Sequence, residues 1–79
     1  MRFQMLEEVV LTRDLPEHRL RVGDVGTVVH VYEPEGVEVE FMTAAGETAA
    51  VVTLSDADVR RPDGDDFPAV RRLSPEATH

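Results

Sequence analysis

Three short β-patterned stretches joined by two loops of the same kind occupy residues 21–54, RVGDVGTVVHVYEPEGVEVEFMTAAGETAAVVTL. The loops are Pro34-Glu35-Gly36 and Ala44-Ala45-Gly46. A three-residue hairpin loop is typically a type I turn followed by a left-handed residue, a position glycine fills without steric cost. Proline at the first loop position suits the fixed φ of that turn. The pattern predicts an antiparallel meander with strands at 27–33, 37–43 and 47–53.

The loops also imply a register. Glu33 should face Val37, Val31 face Val39, and Val29 face Phe41; in the second hairpin Phe41 should face Ala49 and Val39 face Val51. One face then gathers Val29, Val31, Val37, Val39, Phe41, Ala49 and Val51, with Val29, Val31, Val39, Phe41 and Val51 at the centre of the core. Gly36 and Gly46 are both expected at positive φ. A four-residue first loop would set His30 and Tyr32 beside Val39 and Val37 and split the apolar set between two faces, so the shorter loop is preferred.

Residues 7–13, EEVVLTR, have the β-branched character of a first strand. Residues 14–20 read as a long loop, because Pro16 removes a ladder donor, with Leu15 and Leu20 folded back as plugs over the core. Gly23-Asp24-Val25-Gly26 predicts a tight turn, both glycines supplying positive φ. Residues 54–58 suit a single helical turn N-capped by Ser55, and 59–61 a short fifth strand beside the first. The expected fold is all-β, a small five-stranded SH3-like barrel over residues 1–61 with a single helical turn before the last strand. A five-stranded oligonucleotide-binding barrel usually has a helix between strands three and four, where this chain has Ala44-Ala45-Gly46. Residues 62–79, PDGDDFPAVRRLSPEATH, form a C-terminal tail whose Phe67, Val70 and Leu73 are apolar enough to dock.

Size and composition narrow the function. A chain of 79 residues makes one domain. At this size about 60% of the unfolded surface is buried, so a partner or a second copy would add stability. The absence of cysteine excludes disulfides and thiolate metal sites and fits a cytoplasmic location. No apolar run reaches the length of a signal-peptide core or a membrane span. Sixteen carboxylates oppose eight basic residues, giving a net charge of -8. Every basic residue is an arginine. Nucleic-acid binders present a basic face to phosphate. Here Arg13, Arg19 and Arg21 are interleaved with Asp14, Glu17 and Asp24, the pattern of a solvated loop, so no nucleic-acid partner is expected.

Several motifs carry a family resemblance: Glu8-Val9-Val10-Leu11, Asp14-Leu15-Pro16, the run from Gly23-Asp24-Val25-Gly26 through Thr27-Val28-Val29-His30-Val31-Tyr32, Val37-Glu38-Val39-Glu40-Phe41, Gly46-Glu47-Thr48 and Leu54. With these, residues 5–61 resemble a small bacterial family, the domain-of-unknown-function family 4926. The resemblance implies an SH3-like barrel and no established activity. It also implies a partner-binding role, as the accessory or neutralising partner of a toxin-like or other neighbouring protein. Gly23-Asp24-Val25-Gly26-Thr27-Val28 is also similar to the glycine-centred motif of ribosomal and transcription-elongation barrels. That similarity supplies the alternative reading, a nucleic-acid or ribosome-associated barrel.

The expected register gives the outer face three rows: Tyr32, Glu38 and Val52; His30, Glu40 and Ala50; Val28, Met42 and Thr48. A solvated sheet face is ordinarily polar. This one sets Val28, Tyr32, Met42 and Val52 around His30, Glu38 and Glu40, the make-up of a protein-binding patch. The ordinary alternative is β-branched residues favoured on both faces of a twisted sheet. An acid–base role for His30 opposite Glu40 lacks a concave pocket and a third positioned group. His18, His30 and His79 lack ligand spacing, and Asp63-Gly64-Asp65-Asp66 lacks the later bidentate glutamate of a calcium loop. No nucleophile has a base at a recognisable spacing, and no phosphate loop is present. The sequence therefore points to a non-enzymatic protein-interaction module with no cofactor and no metal. Its expected partner is a basic protein or a second copy of the chain.

Overall fold

The computed structural model describes residues 3–63. The tail expected at 62–79 falls almost wholly outside them. Five antiparallel strands form one sheet: β1 (Glu8–Leu11), β2 (Val25–Tyr32), β3 (Gly36–Met42), β4 (Thr48–Ser55) and β5 (Val59–Arg60), in the order β4-β3-β2-β1-β5. Single 3-10 turns lie at Pro16–His18 and Asp56–Asp58. The all-β class, the meander, the turn before the last strand and the pairing of that strand with β1 match the expectation. Among the described residues no ladder joins β4 to β5, so the sheet is not closed into the expected barrel. No helix among the described residues is long and apolar enough to cross a membrane.

β3 alternates strictly. Val37, Val39 and Phe41 are fully buried, while Glu38 and Glu40 face outward and are half-buried. Its two neighbours do not alternate. On β2 the pairing passes from Val28↔Val39 to His30↔Glu38, leaving Val29 as an extra residue. On β4 it passes from Phe41↔Ala50 to Met42↔Thr48, leaving Ala49 as the extra one. These are β-bulges, and each reverses the side to which the rest of its strand points.

The bulges correct both expected registers. The second hairpin does open as predicted: Gly46 has φ +87 and its N–H donates to the Thr43 carbonyl at 3.0 Å. Thr43 and Glu47 then close the loop, the Thr43 N–H donating to the Glu47 carbonyl at 2.7 Å. Past the Ala49 bulge, however, Ala50, Val52 and Leu54 point inward and Val51 is 46% exposed. The unbroken register would have buried Thr53 in place of Leu54, so the bulge keeps the larger apolar set out of water. In the first hairpin Tyr32 pairs with Gly36, and the loop is Glu33-Pro34-Glu35 with a cis Glu33–Pro34 peptide. Gly36 belongs to the strand and is not at positive φ; a Cβ there would stand 3.3 Å from the Tyr32 Cβ. The Val29 bulge turns Val28 fully into the core, leaves Val29 half-buried, and sets Val31 against the core's edge.

Gly26 is likewise a strand residue rather than part of a turn. A Cβ on it would meet Val39 Cγ1 at 2.5 Å and the Glu40 carbonyl oxygen at 2.9 Å, so glycine here allows β2 to press against β3. The turn entering β2 is Arg21–Asp24, with Gly23 at φ +94 and the Asp24 N–H donating to the Arg21 carbonyl at 3.0 Å. Asp24 is buried, and its Oδ2 accepts the Arg21 N–H at 2.9 Å.

The ends of the core are closed by side chains from outside the sheet. Leu15 and Leu20 are buried plugs as expected, held together by reciprocal backbone hydrogen bonds of 2.9 and 3.1 Å. Phe3, which no periodicity singles out, is 1% exposed and lies beneath the Arg61 guanidinium at 4.9 Å. Arg61 also pairs with Glu7.

Asp58 ties the last turn to the start of the fold. Its Oδ2 accepts the Ser55 N–H at 3.1 Å, its Oδ1 accepts Arg13 Nε at 2.9 Å, and its carbonyl accepts the Thr12 N–H at 2.9 Å. The hydrogen bond from Arg13 holds the Asp58 carboxyl below its ordinary value, with the Ser55 backbone adding to the effect.

Two predictions follow from this packing. Val52→Ala, on the inward side of β4, should cost about 2 kcal/mol in urea unfolding, whereas Val51→Ala should stay within about 0.5 kcal/mol. Equal costs would contradict the Ala49 bulge. Because the folded-state pKa of Asp58 is depressed, its contribution to stability is complete above the unfolded carboxylate value and disappears as pH falls through the folded one. The stability gap between the wild type and Asp58→Asn should therefore narrow from pH 6 toward pH 3. A gap that does not change over that range would mean the ion pair contributes nothing.

Candidate interaction face

Outward positions on the three long strands follow from the observed pairing. His30, Glu38 and Thr53 make one row, Thr27, Glu40 and Val51 the next, with Glu8 of β1 opposite Thr27. Tyr32 flanks the first row at the loop end, and Met42 lies beyond the second at the other end of β3. Tyr32, Met42 and Val51 are 42%, 44% and 46% exposed.

Five of the seven residues expected on this face are there: His30, Tyr32, Glu38, Glu40 and Met42. Val28 and Val52 are not. Both point into the core, at 0% and 8% exposed, because each lies where its bulge aligns it with Val39. Thr53 takes the place beside Glu38 expected of Val52, and Val51 the place beside Glu40 expected of Ala50. The signal that would have found it is the inward competition between Leu54 and Thr53, which favours the register that buries leucine.

The polar pairs also differ from expectation. His30 stands opposite Glu38, not Glu40. Its ring meets Tyr32 edge-on, with centroids 4.5 Å apart. The Tyr32 hydroxyl donates to Glu38 Oε1 at 3.1 Å, and this hydrogen bond raises the phenol's pKa above its ordinary value. Glu40 Oε2 accepts the Thr48 hydroxyl at 2.5 Å. Each carboxylate is thus held by a hydroxyl, and neither meets a cation among the described residues. Glu38, the residue opposite His30, is engaged by the Tyr32 phenol. Among the described residues no group of three or more His, Asp or Glu could hold a metal ion.

Arg13 is committed to Asp58, and Arg19 occupies a left-handed position at φ 59 at the end of the 3-10 turn.

Residues 5–61 match the family described as Domain of unknown function (DUF4926). Comparison with curated proteins and with solved structures gives no match.

Tyr32 is the chain's sole tyrosine, and there is no tryptophan. Its ionisation can therefore be read directly from ultraviolet absorbance. The midpoint should lie above 10, the ordinary phenol value, and Glu38→Ala should bring it down. A midpoint unmoved by Glu38→Ala would mean the phenol–carboxylate bond is absent in solution.

Proposed function

The chain belongs to this family over residues 5–61, and we propose that it is a non-enzymatic protein-interaction module whose contact surface is the outer face of β2, β3 and β4. The observation that carries the reading is the pairing of exposed Tyr32, Met42 and Val51 with two carboxylates that have no cationic partner among the described residues. Aromatic and aliphatic anchors that lose water on contact supply most of an interface's affinity, and charge sets orientation and partner choice. A tyrosine held in place by Glu38 enters such a contact with little rotamer freedom left to lose. With a net charge of -8, the favoured partner is a basic protein, a toxin-like or other neighbour in the cytoplasm that this chain accompanies or neutralises. The engagement of both carboxylates by hydroxyls adds support, since it holds them in place on the face.

The test is retention of partners from the native cell extract by the tagged chain, beside the double variant Tyr32→Ala, Met42→Ala. Both side chains are exposed, so the fold should survive. The wild type should retain a protein whose affinity drops about tenfold or more in the variant. No retained protein, or equal retention, would defeat the reading. Submicromolar binding to DNA or RNA that weakens steeply with salt, the signature of phosphate contacts, would favour the nucleic-acid alternative in its place.

A further inference from the structure

β4 is an edge strand. Among the described residues it pairs with β3 alone, leaving one of its two rows of backbone donors and acceptors without a strand partner. Natural proteins blunt such edges with lysine, proline, inward charge or a bulge. β4 reads Thr-Ala-Ala-Val-Val-Thr-Leu-Ser, with no charge and no proline over its 8 residues. Its bulge at Ala49 protects the beginning of the strand, but from Ala50 to Ser55 the pairing with β3 is regular. A neutral, regular edge of this kind is a template for strand addition, in which main-chain hydrogen bonds give affinity and alternate side chains give selectivity.

The side chains next to this edge state what the added strand would carry. On the outer face β4 shows Val51 and Thr53, short residues that screen little of what lies behind them. Behind them on β3 are Glu40 and Glu38, each bound to a hydroxyl and neither to a cation among the described residues. Strands sit about 4.8 Å apart, so β3 is roughly 10 Å from a strand docked on β4. A lysine or arginine there can lay its methylene stem along Val51 or Thr53 and bring its charge to the carboxylate. On the other face the added strand would extend the apolar layer of Ala50, Val52 and Leu54.

We propose that the β4 edge binds, by strand addition, an extended segment of a different protein in which basic and apolar residues alternate. The proposal rests on reading the domain as a protein-interaction module and names the class of partner. A second copy fits less well. No described strand of this chain offers basic residues at alternate positions, β5 holding Arg60 alone, and each copy brings a charge of -8.

The test is a nuclear magnetic resonance titration of the full chain with a short peptide alternating lysine and valine, beside a peptide alternating glutamate and valine. The lysine peptide should shift the amides of residues 50–55, protect them from hydrogen exchange, and bind more weakly as salt rises. The glutamate peptide should not bind. The double variant Val51→Lys, Thr53→Lys places cations beside Glu40 and Glu38 at exposed positions. It should keep the fold and lose about tenfold or more in affinity for the lysine peptide. Should that variant unfold, Glu38→Gln with Glu40→Gln replaces it, with the same loss expected. Absence of binding, equal binding of both peptides, or shifts confined elsewhere would overturn the proposal. So would a dimer of the full chain that Val51→Lys, Thr53→Lys dissociates, since that assigns the edge to a second copy. If an extract partner depends on Tyr32 and Met42 while the lysine peptide fails, the interaction module stands and the strand-addition site falls.

Discussion

β3 runs without interruption while both of its neighbours carry one residue too many. Val29 and Ala49 are those residues, and the sides to which β2 and β4 turn their residues depend on them. A bulge costs local ladder pairing and gains a reversal of alternation. Here the reversals bring Val28, Val52 and Leu54 to the same side as Val37, Val39 and Phe41. Without them, the apolar side chains of β2 and β4 would be divided between core and solvent. Gly26 works with the bulges, since the space its missing Cβ leaves is occupied by Val39 and Phe41.

A sheet of this size cannot enclose a core by itself, and the remaining pieces act as closures. Leu15 and Leu20 close one part from the first long loop, and Phe3 is drawn in from the N-terminal segment. Electrostatics then fixes these closures in place. Arg13 with Asp58 joins the first loop to the last turn, and Arg61 with Glu7 joins the residue after the fifth strand to the segment before the first. Two of the described arginines are thereby spent on structure, which is one reason the acidic balance of the sheet face is not compensated locally.

The proposed function rests on that face. Its carboxylates lie among exposed apolar side chains and satisfy their hydrogen bonding with hydroxyls, which leaves their charge available to an incoming cation. Its border is an uncharged edge strand. The proposed face and edge readings draw on the same two features, negative charge and β surface that have no partner among the described residues, and favour the same kind of partner.

The order of strands was legible in the sequence, because it follows from local signals: β-branched runs, turn residues and the capping Ser55. The second hairpin loop was legible too, since glycine at a left-handed position is a local requirement that Gly46 meets. The strict alternation of β3 correctly put Glu38, Glu40 and Met42 outside and Val39 and Phe41 inside. The facing of β2 and β4 was not legible from alternation. A bulge is chosen by the sum of packing on the whole inner face, where burying Leu54 and Val52 outweighs one lost ladder pair, and no short window contains that sum. For the same reason Val28 and Val52 moved from the expected surface into the core, and Val51 moved out. Phe3 and Gly26 acquire their roles only once distant strands come together. The sequence by itself determined the elements, their order and the negative charge of the sheet. The tertiary structure decided which side chains accompany that charge at the surface, because only close packing selects between registers one residue apart.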